Sequence, residues 1–166
     1  VWVFERASER SWGRGATVIP SRDMVLPGSL GGGIAIAHAK DLAITVTPTG
    51  DGGVWRLHAA IPDASFDITV TRPAHHDCLA VVVPWSTRRF QYTVKDVALP
   101  ASGTITTEGV RHDVPAGSWA VLDHGRGRWP YDVAWNWGAG AGVLPDGRSI
   151  GLQVGGRWTD GTGATE

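Results

Sequence analysis

The sequence predicts an all-β fold of antiparallel strands, arranged as a barrel or a sandwich. The chain of 166 residues carries 23 Gly and 10 Pro, a density typical of short strands joined by tight turns. Between these residues, apolar and polar side chains alternate with a period of two, which predicts half-buried strands. About ten such segments follow one another at the spacing expected for a sandwich or a barrel.

The strands predicted in the first half of the chain are separated by recognisable turns. Lys40-Asp41 divides the segment Ile34–Thr47 into two strands. Asp51-Gly52-Gly53 supplies a turn into the alternating segment Val54–Ala60, and Phe66–Thr71 alternates in the same way. Four antiparallel strands are therefore predicted here.

Three strands of different character are predicted next. Cys78–Val83 is continuously apolar, which is typical of a strand covered on both faces. Trp85–Leu99 is the longest stretch free of Gly and Pro, and its central residues alternate. Gly103–Val110 is polar and rich in Thr, which predicts an edge or exposed strand. A helix is considered only around Phe4–Trp12, where following glycines and the missing cap argue against it.

The last part of the chain predicts short strands and one long aromatic strand. Trp119–Asp123 is short and apolar, whereas Trp129–Trp137 is aromatic and alternating. Pro145-Asp146-Gly147 predicts a turn between Gly142–Leu144 and Ser149–Val154.

A mild break in this pattern lies at Leu99–Gly103, where one β unit is expected to end and another to begin. We therefore predict a first β module over residues 1–100 and the start of a second over residues 101–166, truncated at its C-terminus. The length of 166 residues fits one ordinary domain or part of a larger protein.

Composition excludes several classes of function. The 15 basic and 16 acidic residues give a net charge of −1, which argues against a nucleic-acid partner. No apolar run approaches the length of a membrane-spanning helix. The single cysteine, Cys78, excludes an internal disulfide framework, and it favours a reducing compartment such as the cytoplasm.

Residues 122–137 hold the densest set of candidate site residues. If Trp129–Trp137 is extended, its odd positions form one aromatic face containing Trp129, Tyr131, Val133, Trp135 and Trp137. Asn136, the chain's only Asn, stands between two Trp and is expected to be there for its hydrogen bonds. Asp123 and His124 precede this face. A carboxyl group beside aromatic rings has its charged form disfavoured, which suits general-acid work.

Two interpretations of this segment compete. In the first, the aromatic face is core, and Asp123, Arg126 and Arg128 form a salt-bridged corner. In the second, the aromatic face lines a pocket whose polar end holds Asp123, His124, Tyr131 and Asn136.

Cofactor and metal sites are not predicted. No Walker sequence occurs, and the Gly-rich runs do not open a helix within a βαβ unit. Adjacent side chains of His75-His76-Asp77 point to opposite faces of a strand, so this cluster predicts a solvated turn more strongly than a metal site.

Several motifs together resemble a known family. They are Pro84-Trp85-Ser86, Phe90–Lys95, Leu99–Gly103, Asp123–Tyr131, Trp135-Asn136-Trp137 and Gly155–Gly163. Their order and spacing resemble the DUF2804 family, a family of unknown function, clearly over residues 73–166 and less distinctly before them. Members are longer than this chain, so the chain is expected to be a fragment.

That family is distantly similar to the lipocalin-like fold of carotenoid 1,2-hydratases and AttH-like proteins. The resemblance implies a lipocalin-like barrel, incomplete here, that binds a small hydrophobic molecule. It also implies cofactor-free acid–base chemistry of the hydratase, isomerase or cyclase type. From the pattern of residues 122–137, the expected catalytic residues are Asp123, His124 and Tyr131. The expected ligand-binding residues are Arg126, Arg128, Trp129, Trp135, Asn136 and Trp137.

A non-enzymatic alternative is a β-sandwich module that serves interaction or structure, with its Trp residues in the core and at an interface. Open strand edges of an incomplete barrel would also favour self-association.

Overall fold

The structure, a computed structural model, describes residues 1–17, 23–29, 32–50, 53–160 and 162. Two segments named above, Asp51-Gly52-Gly53 and Gly155–Gly163, lie partly outside these residues. The regular secondary structure of the described residues consists of strands, which confirms the all-β prediction. In chain order they are β1 (Trp2–Glu5), β2 (Arg10–Gly13), β3 (Met24–Val25), β4 (Ala35–Ala39), β5 (Leu42–Thr49), β6 (Val54–Ile61), β7 (Ala64–Thr71), β8 (Leu79–Pro84), β9 (Phe90–Thr107), β10 (Val110–Asp113), β11 (Trp119–Arg128), β12 (Asn136–Val143) and β13 (Ser149–Gly156).

The strands form three sheets. The nine-stranded sheet has the order β10-β9-β7-β6-β5-β4-β3, and both β8 and β11 also pair with β9. Two hairpins, β1-β2 and β12-β13, form separate two-stranded sheets. Within the part of the chain that the structure describes, no sheet closes into a barrel. The lipocalin likeness therefore stays a prediction.

The chain divides into two compact units that are interleaved along the sequence. Unit 1 comprises Val1–Pro73 and Pro100–Ser118, and unit 2 comprises Ala74–Leu99 and Trp119–Glu166. Strand β9 contributes its first part to unit 2 and its second part to unit 1. The sequential modules 1–100 and 101–166 stay a prediction, although one change of unit falls at Leu99–Pro100, inside the predicted break.

Unit 1 follows the alternation in its sequence. The predicted break at Lys40-Asp41 is the turn between β4 and β5, where Asp41 takes a left-handed φ of 60°. Strands β5, β6 and β7 then pair in antiparallel register, with Ile44 opposite Ala59 and Ala59 opposite Phe66. These predicted strands are confirmed.

Residues around Phe4–Trp12 form the hairpin of β1 and β2, so the helix that the sequence argued against is not formed there. Three local predictions are wrong. The predicted strand Cys78–Val83 corresponds to β8, but most of its residues are exposed instead of covered on both faces. Gly103–Val110 is not a separate strand, since β9 runs on to Thr107 and turns at Glu108-Gly109 into β10. At Gly103, with a φ of 137°, any side chain would overlap the backbone of Asp67, so close approach of β7 and β9 requires glycine. The aromatic segment Trp129–Trp137 is extended as a strand only from Asn136 onward.

Each unit has a small apolar core. In unit 1 the buried apolar residues are Leu42, Ala59, Ala64 and Val70, and in unit 2 they are Val83, Val94, Ala98 and Leu99. The buried polar residues of the described chain all lie in β9. Gln91, Thr93 and Asp96 belong to its first part, and Thr107 is its last residue. The first part of β9 is therefore the polar interior of unit 2.

Candidate functional site

The candidate site is built on the first part of β9, which lies between two partner strands. Strand β8 pairs with it in antiparallel register from Leu79 opposite Lys95 to Pro84 opposite Phe90. Strand β11 also pairs with β9. The Thr93 hydroxyl donates a hydrogen bond of 3.0 Å to the His124 carbonyl of β11. Gln91, Thr93 and Lys95 share one face of β9, because alternate residues of a strand point the same way.

Lys95 forms the charged centre of this face. Its Nζ is paired with the Asp123 carboxylate of β11, and the exposed fractions of the two side chains are 12% and 46%. The same Nζ lies 4.8 Å from the ring centroid of Trp137 and 6.0 Å from that of Trp158. A lysine ammonium over indole rings is stabilised by the ring quadrupole, more strongly where water is excluded.

The neighbouring indoles are linked to one another. The rings of Trp85 and Trp129 are 5.5 Å apart, and those of Trp129 and Trp135 are 5.7 Å apart, in the tilted and edge-to-face arrangements that aromatic pairs favour. Trp85 Nε1 donates to the Trp158 carbonyl at 3.0 Å. Arg89 donates to the Trp129 carbonyl and fixes that segment. We call Trp85, Trp129, Trp135, Trp137 and Trp158 the tryptophan cluster.

Gln91 lies beside this cluster. Its side chain is buried, and its Oε1 has no hydrogen-bond partner among the described residues. A Cβ added at Gly125 of β11 would lie 3.0 Å from Gln91 Nε2 and 3.6 Å from Trp129 Cζ2. A side chain at Gly127 would overlap the backbone of Phe90. The two glycines therefore let β11 approach β9 closely at Gln91.

The predicted catalytic trio is not brought together. Asp123 and His124 are neighbours in β11 and lie on opposite faces: Asp123 pairs with Lys95, whereas the His124 ring contacts the Tyr92 ring at 6.5 Å. Tyr131 is fully exposed. The predicted corner of Asp123, Arg126 and Arg128 is also corrected, because the ion-pair partner of Asp123 is Lys95.

The aromatic residues predicted to form one face of a single strand do not all lie on a strand, although most of the Trp residues still lie near one another. Pro130 lacks a backbone donor and has a fixed φ, so a ladder of strand hydrogen bonds does not continue through it. Residues 129–135 accordingly lie outside the strands. Trp129 and Trp135 still contact each other, and Trp137 covers Lys95 from β12.

The other predicted ligand-binding residues lie at the ends of strands. Asn136 is exposed at the start of β12, opposite Gly156 of β13. Arg126 and Arg128 are exposed near the end of β11. The structure shows no ligand contact for any of these three residues, and their roles stay predictions.

Sequence reasoning missed Gln91, Lys95, Trp85 and Trp158 as site residues. A period of two identifies Gln91 and Lys95 as members of one strand face, but it does not say that the polar face is the covered one. Trp85 and Trp158 belong to motifs that carry the family resemblance, which was the available signal for them.

The histidine cluster forms a turn, as predicted, but one of its members reaches a buried carboxylate. His75 has a left-handed φ of 59°. His76 Nε2 lies 2.8 Å from Asp96 Oδ1, and the Asp96 side chain is fully buried. Among the described residues, no three His, Cys, Asp or Glu side chains are grouped to hold a metal ion.

Two clefts lie elsewhere, in unit 1. One, of about 290 Å³, is lined mainly by Arg14, Met24, His38, Leu42 and Ile44. The other, of about 550 Å³, lies beside Trp2 and Gly13. Neither cleft is lined by a residue of the tryptophan cluster, so the clefts and the buried polar residues of β9 lie in different units. We place the candidate site at the buried polar residues, because no described residue that lines either cleft is both buried and polar.

The fold and site define an all-β protein with a polar strand covered by tryptophan rings. The profile of a family described as a domain of unknown function (DUF2804) matches residues 1–166. The chain belongs to this family, and the match includes the first 70 residues, where the resemblance was less distinct. No curated protein and no solved structure matches the chain. No helix among the described residues is long and apolar enough to cross a bilayer.

Proposed function

We propose that unit 2 binds a small, largely apolar molecule against the tryptophan cluster. The observation that carries this proposal is the placement of polar side chains under indole rings: Lys95 lies beneath Trp137 and Trp158, and Gln91 lies beside Trp129. Aromatic walls with a few convergent polar groups are the usual composition of small-molecule sites.

Exposure of part of the cluster supports binding over a purely structural role. Trp135 is 55% exposed although its ring contacts Trp129. Phe90, at the start of β9, is 47% exposed. Large apolar side chains left at a surface next to buried polar groups are typical of ligand sites and interfaces.

The Lys95–Asp123 pair supplies the polar end of the proposed site. A carboxylate paired with an ammonium accepts hydrogen bonds, and the remaining acceptor capacity of Asp123 suits a ligand hydroxyl or N–H. Acid–base chemistry on the ligand is the finer part of the proposal. In it, the Asp123 carboxylate takes a proton from one position of the ligand and returns it at another, an isomerisation, while the Lys95 ammonium stabilises the carboxylate. The predicted partners His124 and Tyr131 are not included, because they lie away from Asp123.

Native mass spectrometry of the gently purified chain tests the proposal, with the denatured mass as reference. We expect an added mass that disappears on denaturation and is lost in Trp135→Ala. The matched control is Trp2→Ala in unit 1, because Trp2 is also exposed, at 70%. Retention of the mass by Trp135→Ala and its loss from Trp2→Ala would refute the site in unit 2.

A second candidate is the non-enzymatic interaction module. The hairpin of β12 and β13 favours it, because Ile150, Leu152 and Val154 are exposed on one face, at 47%, 61% and 59%. Across the hairpin these residues oppose glycines, which leave the apolar face flat. For this candidate the partner is a second copy of the chain, and light scattering would show a dimer that Leu152→Lys converts to a monomer.

A further inference from the structure

The chain has only two glutamines, Gln91 and Gln153, and both carry a buried side-chain oxygen without a hydrogen-bond partner among the described residues. A buried acceptor that lacks a donor has lost its hydration without replacement, so it lowers stability. Such groups are rare in native structures and call for an explanation. Ordered water is one possible partner, and a ligand is another.

Gln91 is the more informative of the two because its whole side chain is buried, with 3% of the residue exposed. Its partner across the ladder, Val83, is completely buried. The amide and the Trp129 ring both lie within 4 Å of the position that a Cβ at Gly125 would take. The amide therefore borders the tryptophan cluster at a point where β11 contributes no side chain.

The other polar residues on this face of β9 are satisfied. The Thr93 hydroxyl donates to the His124 carbonyl at 3.0 Å, and Lys95 is paired with Asp123. Gln91 Oε1 is thus the acceptor on this face that is left without a protein donor.

We propose that Gln91 determines ligand specificity by accepting a hydrogen bond from a hydroxyl or N–H of the ligand. This inference rests on the proposed function and narrows its ligand class to apolar molecules that carry a donor. Ethers, esters, hydrocarbons and ionised carboxylic acids offer no proton to an amide oxygen. A site that hydrogen-bonds a ligand hydroxyl discriminates against the analogue without it more strongly than apolar contacts do.

Gln91 and the Lys95–Asp123 pair serve different parts of the ligand. Residues four apart in a strand are separated by about 13 Å along the chain direction, at roughly 3.3 Å per residue. A substitution at Gln91 therefore leaves the charged end in place.

Matched ligand pairs test the inference. The probes are 2-naphthol with 2-methylnaphthalene, and 1-decanol with 1-chlorodecane; in each pair the hydroxyl is replaced by a group of similar size that cannot donate a hydrogen bond. We expect the whole chain to bind each alcohol about tenfold more tightly than its analogue, as one buried hydrogen bond requires. In Gln91→Leu the ratio should fall to about one, with Gln153→Leu as the control that retains it.

Thermal unfolding gives a second readout that separates function from structure. Gln91→Leu replaces an unpartnered polar group by an apolar one of similar size, so the unliganded variant should unfold at a higher temperature than the wild type. A lower unfolding temperature would mean that the amide is structural, and would overturn the inference. Gln91→Met provides the same comparison if the leucine variant does not fold.

The results that would overturn the inference are different from the result that would refute the proposed function. Equal binding of both members of each pair by the wild type would assign Gln91 Oε1 to ordered water and overturn the inference, while the proposed function stands. Loss of selectivity in Gln153→Leu with retention in Gln91→Leu would overturn the assignment to Gln91. Binding of no probe would refute the proposed function itself.

Discussion

Among the described residues, each unit contains one His–Asp pair, and the two pairs differ in their surroundings. In unit 1, His58 Nδ1 lies 2.7 Å from Asp67 Oδ1, and the side chains are 48% and 70% exposed. In unit 2, His76 Nε2 lies 2.8 Å from Asp96 Oδ1, with exposed fractions of 16% and 0%. The same contact is a surface feature in one unit and an interior feature in the other.

The difference extends to the rest of the two units. Unit 1 exposes the polar residues of its alternating strands, as Arg56 and Asp67 show. Unit 2 covers polar residues of β9 with the tryptophan cluster. Burying polar groups costs stability unless they are paired, so a fold that needed only stability would have used apolar residues there. This contrast is the reason for placing the candidate function in unit 2.

Removing a carboxylate from each pair should give the largest difference between the units. Asp96→Ala leaves His76 without its buried partner, so we expect a loss of about 3 kcal/mol in the free energy of unfolding. Asp67→Ala removes an exposed partner and should cost less than about 1 kcal/mol. Urea denaturation measures both values. Equal losses would contradict the contrast between the two pairs.

Removing an indole from each unit should give the next largest difference. Trp129→Ala abolishes two ring contacts and half-buried apolar area, which predicts a loss of about 2–3 kcal/mol. Trp2→Ala, at an exposed position of unit 1, should cost under about 1 kcal/mol. The same denaturation assay applies. A Trp129→Ala variant as stable as wild type would mean that the cluster is not packed.

The two lysines offer a smaller comparison. Lys95→Met breaks the ion pair and the ring contacts, for an expected loss of about 1–2 kcal/mol, whereas Lys40→Met at an exposed turn should change little. Reductive methylation followed by peptide mass analysis tests the same environment without substitution. Lys40 should react faster than Lys95, and the reverse order would place Lys95 in solvent.

The smallest expected effect concerns acid pH in unit 1. Hydrogen bonds from Trp12 and then Arg10 lower the pKa of the Glu108 carboxyl from its ordinary value of 4.5. Because the folded-state pKa is lowered, the stabilisation is complete above pH 4.5 and disappears as pH falls through the folded-state pKa. Its size is small, since both charged side chains are about half exposed.

Comparison of Glu108→Gln with the wild type checks this effect. The denaturation midpoints of the two should differ at pH 7, and the difference should shrink as the pH falls below 4.5. A difference that stays constant or grows on acidification would contradict the assignment to Glu108.

Local patterns predicted the strands of unit 1 well. In β5 to β7 the alternation is uninterrupted, and the turn at Lys40-Asp41 lies where the pattern breaks. The same logic failed at Trp129–Trp137, because the alternation of aromatic residues was given more weight than Pro130, which ends the ladder. The hairpin of β1 and β2 was missed because its strands are too short to show a period.

The site was only partly predictable from sequence. The sequence grouped Asp123 with Trp129, Trp135 and Trp137 because they lie close together in the chain, and their roles in a site stay a prediction. The ion-pair partner of Asp123 was not predicted, because Lys95 is 28 residues away in the sequence and reaches Asp123 only through the pairing of β9 with β11. Burial of Gln91 likewise depends on which strands cover β9, and no local pattern encodes that.

Photoaffinity labelling would show which unit binds the ligand, because it compares the two units within one molecule. The probe is a ten-carbon alcohol that carries a diazirine, and the adducts are located by peptide mass spectrometry. We predict adducts in the segments Trp85–Gln91 and Trp129–Trp137 of unit 2, with labelling reduced by excess 1-decanol. Adducts confined to the clefts of unit 1 beside Met24 and Leu42, or spread evenly over both units, would contradict the placement of the site in unit 2.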